Sequence, residues 1–208
     1  MVKSIFYYVH DPMCSWCWAH RPQWVQLEQA LSALDVSVTY VLGGLAPDSD
    51  VPMPKEQIAA ISGYWKNIEA LLGTEFNYDF WTKNTPRRST YPACRAVLAA
   101  AWQGAEIDMI LALQQAYYLR AMNPSDQSTH RLLAQELNLD VNRFISDLNS
   151  EALEQAFVEQ LSFAQSLPIQ GFPSMVLQHK GHLSGIVLDY KDHRGALAQV
   201  KETLRESN

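Results

Sequence analysis

The chain has 208 residues, 48% of them hydrophobic and 11% aromatic, enough to bury one large domain or two small ones and not the composition of a disordered chain. A formal net charge of −6, with no block of Lys and Arg, argues against nucleic acid as a partner, because phosphates need clustered cations. No apolar run approaches the roughly 18 residues of a membrane span, and the apolar stretch after Met1-Val2-Lys3-Ser4 is too short for a secretory core; with Met1 as the native start, a cytoplasmic protein is expected.

Taken in chain order, residues 3–9 read as a strand, with Ile5, Phe6, Tyr7, Tyr8 and Val9 as a β-branched and aromatic run. Helical spacing follows at Trp24, Leu27, Leu31 and Leu34, so a helix is expected over 17–34, kinked at Pro22. Val36, Val38, Tyr40 and Leu42 alternate with Ser37 and Thr39, the pattern of a strand over 36–42. A β-α-β unit of this length implies parallel pairing. Gly43 and Gly44 end the strand, and Pro47, Pro52 and Pro54 mark a long loop, a candidate functional loop. Helices are expected at 55–72, 91–103, 106–121, 127–138, 140–148 and 151–166, with 73–90 irregular. Apolar stripes are expected at Ile107, Ile110, Leu111, Leu113 and Tyr117, and at Leu132, Leu133 and Leu137. Past Pro168 the pattern becomes a hairpin, with strands 174–178 and 182–188 around a turn at 179–181, then a helix at 192–205. The expected fold is α/β: β-α-β, a large all-helical insertion at 55–167, then β-β-α. Residues 1–54 and 168–208 would form one discontinuous domain.

The chemistry concentrates at Cys14-Ser15-Trp16-Cys17, a C-x-x-C in the turn between the first strand and the first helix. Unpaired N–H groups and the positive dipole end of a helix N-terminus favour a thiolate there. Two cysteines three apart can close into a disulfide and reopen. Cys14 is expected to be the more exposed and to attack; Cys17, one turn further in, resolves the mixed disulfide. In a cytoplasmic chain, three cysteines imply transient thiol chemistry rather than a structural framework. The alternative is half of a zinc site, but zinc wants four ligands and no second ligand pair is present, so no metal is expected. Trp16 and Trp18 flank the pair and can form an apolar platform for a peptide or a small aromatic substrate. Cys94, among Ala93, Ala96, Ala99 and Ala100, reads as a buried small hydrophobe, or else as a third thiol able to form an internal mixed disulfide.

Two segments carry a resemblance: Asp11-Pro12-Met13-Cys14-Ser15-Trp16-Cys17-Trp18, and Gly171-Phe172-Pro173 entering the third strand. With Pro22 five residues after Cys17 and the helical insertion, the chain resembles the DsbA-like branch of the thioredoxin fold, and the first segment is similar to that of its cytosolic, FrnE-like members. The resemblance spans essentially the whole chain, including Pro92-Ala93-Cys94-Arg95-Ala96 at a helix start. It implies a protein disulfide oxidoreductase acting on disulfide- or thiol-containing polypeptides or small thiols. It implies no bound cofactor, with glutathione open as reductant or co-substrate, and no membrane or nucleic-acid partner. It also implies a cis bond at Pro173 beside the cysteines, leaving the Phe172 backbone to pair with an extended substrate. The middle dipeptide Ser-Trp differs from the Pro-His of the strongly oxidising periplasmic members. Ile5–Val9 lacks the buried acid that often accepts a proton from the resolving cysteine in this fold; Asp11, His10, His20 and Glu28 are the candidate substitutes. Two rival functions remain, a glutathione-dependent transferase or isomerase on the same scaffold and a non-catalytic binding module.

Overall fold

The computed structural model describes residues 4–206; Lys3, where the sequence begins its first strand, lies outside the described residues. A four-stranded sheet runs in the order β2-β1-β3-β4, from strands β1 (Ser4–His10), β2 (Val36–Leu42), β3 (Ser174–His179) and β4 (His182–Ile186). β1 pairs parallel with β2, from Ser4 opposite Val36 to His10 opposite Leu42. It pairs antiparallel with β3, which in turn pairs antiparallel with β4. Between them come α1 (Ser15–Leu31), α2 (Lys55–Leu72), α3 (Phe80–Lys83), α4 (Tyr91–Ala101), α5 (Glu106–Tyr118), α6 (Gln127–Glu136), α7 (Val141–Leu148) and α8 (Glu151–Ser166), and α9 (Arg194–Glu206) ends the order. Among the described residues, no helix is long and apolar enough to cross a membrane.

The chain divides into two compact units. The first holds the N-terminal segment to His10, Trp16–Gly43 and everything from Gln160 onward. The second holds Asp11–Ser15 and Gly44–Glu159. The sequence drew its boundaries at 54/55 and 167/168. The loop after Gly43 goes with the helices because it lies along 86–90: Met53 N–H donates to Pro86 O at 2.8 Å, Ser49 N–H to Ser89 Oγ at 3.2 Å and Ala46 N–H to Thr90 Oγ1 at 3.0 Å.

In the first unit β1 is central, which is why its apolar run is unbroken. Phe6 and Tyr8 face a core with Trp24, Leu27, Leu31, Met175, Leu177 and Val200; Tyr7 and Val9 face another with Val41, Ala164, Leu167 and Val176. The hairpin turns at Lys180 (φ 48°) and Gly181 (φ 84°), two consecutive left-handed residues, as the twist of a two-residue hairpin demands. α1 runs on past Pro22, which lies on its exposed side.

In the second unit Trp65 is fully buried amid Phe76, Tyr78, Phe80, Trp81, Tyr117 and Tyr118. Segment 73–90 is therefore less irregular than its sequence suggested: it contains α3 and supplies much of this cluster. α4 packs against α5, α6 and α7. The inward stripe of α5 is Met109, Ile110, Leu113, Ala116 and Tyr117, while Ile107 is exposed; on α6, Leu133 is inward and Leu132 is exposed.

Candidate functional site

β1 ends at His10, and Asp11-Pro12-Met13-Cys14 make the turn into α1. Asp11 organises that turn. Its Oδ1 accepts from Met13 N–H at 2.7 Å, and its carbonyl accepts from Cys14 N–H at 3.0 Å. Such side chain-to-backbone closure two residues on is the reason aspartate favours turns. Its Oδ2 accepts from Leu45 N–H at 2.7 Å, Thr90 Oγ1 at 2.6 Å and Cys94 Sγ at 3.6 Å. Asp11 is wholly buried. Burial raises its carboxyl above the usual range, and these four hydrogen bonds offset only part of that rise.

Cys14 is 6% exposed and Cys17 2%, so the order expected from the sequence holds but neither thiol stands open. All three cysteines are free thiols. Cys94 is fully buried on α4. Burial, and then the Asp11 carboxylate beside it, push its thiol well above the ordinary value, so it remains an S–H donor. It is more than a small hydrophobe filling a gap, since its S–H donates to the Asp11 carboxylate.

In the first unit, α1 turns Cys17, Ala19, His20, Trp24, Leu27 and Leu31 inward. Tyr8 stacks on Trp24 at 3.9 Å between ring centroids, and its hydroxyl lies 3.2 Å from His20 Nδ1. Burial lowers His20 to about 4, against a smaller opposing pull from Asp189. Trp24 Nε1–H donates to Tyr40 Oη at 2.8 Å, and Tyr40 donates on to Glu28 Oε1 at 2.8 Å. Glu28 is thereby engaged by Tyr40. His10 has no hydrogen-bond partner at either ring nitrogen, and burial lowers it to about 3. Trp16 is half-buried, with its ring 5.0 Å from that of Tyr190, which in turn lies edge-on to His20 at 5.6 Å. Tyr190, in the loop after β4, escaped the sequence reading because nothing local marks it.

The Phe172–Pro173 bond is cis, Pro173 is buried, and β3 starts at the next residue. Phe172 packs against the core of Tyr7, Val9 and Val41. Its ring occupies the space where Gly43 would carry a Cβ, which explains a glycine at the end of β2. The Phe172 side chain is thus committed to packing. Trp16, Cys17, Phe172 and Pro173 belong to the first unit, and Cys14 is grouped with the second. Among the described residues, no group of three or more His, Cys, Asp or Glu could hold a metal ion.

The fold recurs in solved structures. A candidate protein disulfide isomerase from Nitrosomonas europaea superposes with a TM-score of 0.86 at 24% identity, covering 99% of this chain and all of that one. The cytosolic disulfide reductase DsbM from Pseudomonas aeruginosa gives 0.76 at 24% identity, covering 97% and 98%; its structure with GSH gives 0.74. A DsbA oxidoreductase from Xylella fastidiosa gives 0.63 at 16% identity, covering 97% and 87%. By sequence, the chain is 28% identical to the ClpXP adapter protein SpxH of Bacillus cereus over 182 residues, 85% of this chain but 60% of that protein. The chain therefore spans about three fifths of the length of the curated relatives it matches. Its architecture is DsbA-like, and the family model described as thioredoxin matches residues 6–190, so the chain belongs to the thioredoxin family.

Proposed function

We propose that the chain is a thiol–disulfide oxidoreductase working through the Cys14–Cys17 pair. The observation that carries this reading is a pair of free thiols three apart, one in the turn before α1 and one in its first turn. Cys14, as thiolate, attacks one sulfur of a substrate disulfide; a Cys14–substrate S–S bond forms and the other substrate sulfur leaves as a thiolate that takes up a proton. Cys17 then gives up its proton and attacks Cys14, closing the Cys14–Cys17 disulfide and releasing the second substrate thiol. Two molecules of a small thiol such as glutathione reopen the pair and leave as their own disulfide. Trp16 and the backbone around Phe172 and Pro173 present an apolar, extended site to a polypeptide or small-thiol disulfide. DsbM, a cytosolic reductase also solved with GSH, supports glutathione as co-substrate and a cytoplasmic setting.

The test is insulin reduction coupled to glutathione. Turnover by the native chain, none by Cys14→Ser, and trapped mixed disulfides with Cys17→Ser are expected. Preferential alkylation of Cys17 over Cys14 near neutral pH would reverse the two roles.

The SpxH relatives, described as ClpXP adapter proteins, favour a second reading, an adapter. The double variant Cys14→Ser, Cys17→Ser separates the two: an adapter that does not use the pair retains its partner binding, and an oxidoreductase loses all turnover.

A further inference from the structure

We infer that Tyr190, in the loop after β4, is a specificity-determining residue of the redox site: its ring and that of Trp16 form one aromatic surface at the first turn of α1, which receives an apolar side chain of a polypeptide disulfide. The inference rests on the oxidoreductase reading and adds to it what separates a polypeptide substrate from a small-thiol one.

The surface is built within the first unit. Trp16, His20 and Gln23 recur at i, i+4 and i+7 on α1 and so share one face of that helix. The loop after β4 lies along this face. The Tyr190 ring is 5.0 Å from that of Trp16, tilted at 58°, and 5.6 Å from that of His20, edge-on at 82°. Further along the loop, His193 N–H donates to Gln23 Oε1 at 3.1 Å. Asp189 Oδ1 accepts from Lys191 N–H at 2.7 Å, closing an Asx turn whose middle residue is Tyr190. Behind Tyr190, His20 Nδ1 lies 3.2 Å from the Tyr8 hydroxyl, and Tyr8 stacks on Trp24 at 3.9 Å. Tyr190 therefore rests on the buried core at one side and meets Trp16 at the other.

Trp16 stands between the two cysteines in sequence and directly precedes Cys17, so the ring that Tyr190 fixes belongs to the redox motif itself. Both Trp16 and Tyr190 are partly exposed, whereas His20 behind them is buried. Two large rings already held in place lose little freedom when a ligand covers them, which is why tryptophan and tyrosine dominate binding hot spots. Their chemistry selects the occupant. An aromatic or aliphatic side chain gains from contact with the two rings; glutathione, which carries no apolar side chain, does not.

The experiment uses the full chain, with glutathione as reductant and two cyclic peptide disulfides that differ only in carrying Phe or Ser next to one cysteine. The native chain is expected to prefer the Phe peptide by about three- to tenfold in kcat/KM, the range of an aromatic contact. The preference should reside in KM, because the contact is as strong before the sulfurs react as while they react. Tyr190→Ser should bring the ratio to within about twofold of one, and Tyr190→Phe, which keeps the ring, should hold the native ratio. A merely structural role would slow both peptides alike and leave the ratio in place. A native preference below about threefold overturns the inference, as does a native ratio kept in Tyr190→Ser or lost in Tyr190→Phe. Should Tyr190→Ser fail to fold, Tyr190→Leu takes its place, with the ratio at least about halved; an unchanged ratio there overturns the inference. A native chain that turns over neither peptide sinks the oxidoreductase reading and this inference together; turnover of both peptides without preference sinks this inference alone.

Discussion

Acid should unfold this protein early, and three buried histidines set the scale. Burial holds His10 at about 3 and His20 and His130 at about 4, below the ordinary value of 6.5. All three are at most 2% exposed. A folded-state value below the unfolded one means that the unfolded chain binds the proton first, so stability is full above pH 6.5 and drains away as pH falls toward 4. Each such histidine adds a slope of about 1.4 kcal/mol per pH unit, and three together reach about 4 kcal/mol per pH unit. Going from pH 7.5 to 5.5 should therefore remove on the order of 4 kcal/mol, a large share of the roughly 5–15 kcal/mol that stabilises a folded domain. Burial shifts Asp11 and Glu106 upward, and both act in the opposite sense. A paired comparison isolates the histidines. His10 stacks on Tyr8 at 5.9 Å and lies edge-on to Tyr40 at 5.7 Å, with neither nitrogen bonded, so an apolar ring can replace it. In urea denaturation at pH 7.5, 6.5 and 5.5, His10→Phe should lose about one third less stability than the native chain. A native stability flat across that range, or an identical slope in His10→Phe, would refute the reasoning.

Other outcomes follow from single contacts. Gly43→Ala places a methyl group inside the ring of Phe172 and should cost about 1–3 kcal/mol in urea denaturation, the range for overpacking a filled site. Trp24→Phe removes the indole N–H that Tyr40 accepts and should cost about 1–3 kcal/mol in the same assay, through the lost bond and the space left behind. Cys94, fully buried and held as a thiol by Asp11, should resist iodoacetamide in the native chain and react once the chain unfolds, as mass spectrometry after a timed quench would show.

Most of the fold was legible because its elements carry strong local patterns. The alternation through Val36, Val38 and Tyr40 marks β2, and Lys180-Gly181 makes the hairpin turn with two left-handed residues. Helix faces were less legible. Ile107 and Leu132 are apolar yet exposed, because the contacts of α5 and α6 fall on the neighbouring positions Met109 and Leu133. The short helix α3 escaped because its order comes from the aromatic cluster around Trp65, a tertiary effect that no window of residues 73–90 displays.

The site divides along the same line. The cysteine spacing and its place between a strand and a helix are local, and so are readable. What surrounds the turn is not: Asp11 finds Leu45 34 residues on, Thr90 79 residues on and Cys94 83 residues on. From sequence alone, Asp11 is one of four residues that could accept a proton for Cys17, and its partners are visible only in the fold. Three donors meet Asp11 Oδ2 and one meets Oδ1, so the carboxylate ties the turn to the loop at Leu45 and the start of α4. His20 keeps its Nδ1 against the Tyr8 hydroxyl and sits three residues after Cys17 on the inward side of α1. With a value of about 4, it is neutral near pH 7 and a weak base. In the proposed mechanism, proton release from Cys17 finds no strong base in His20, and the substrate thiolate released when the mixed disulfide forms is the stronger base present before Cys17 attacks. Replacing His20 with Asn should then leave the pH profile of insulin reduction in place between pH 6 and 8; a profile that collapses on this change would restore His20 as the proton acceptor.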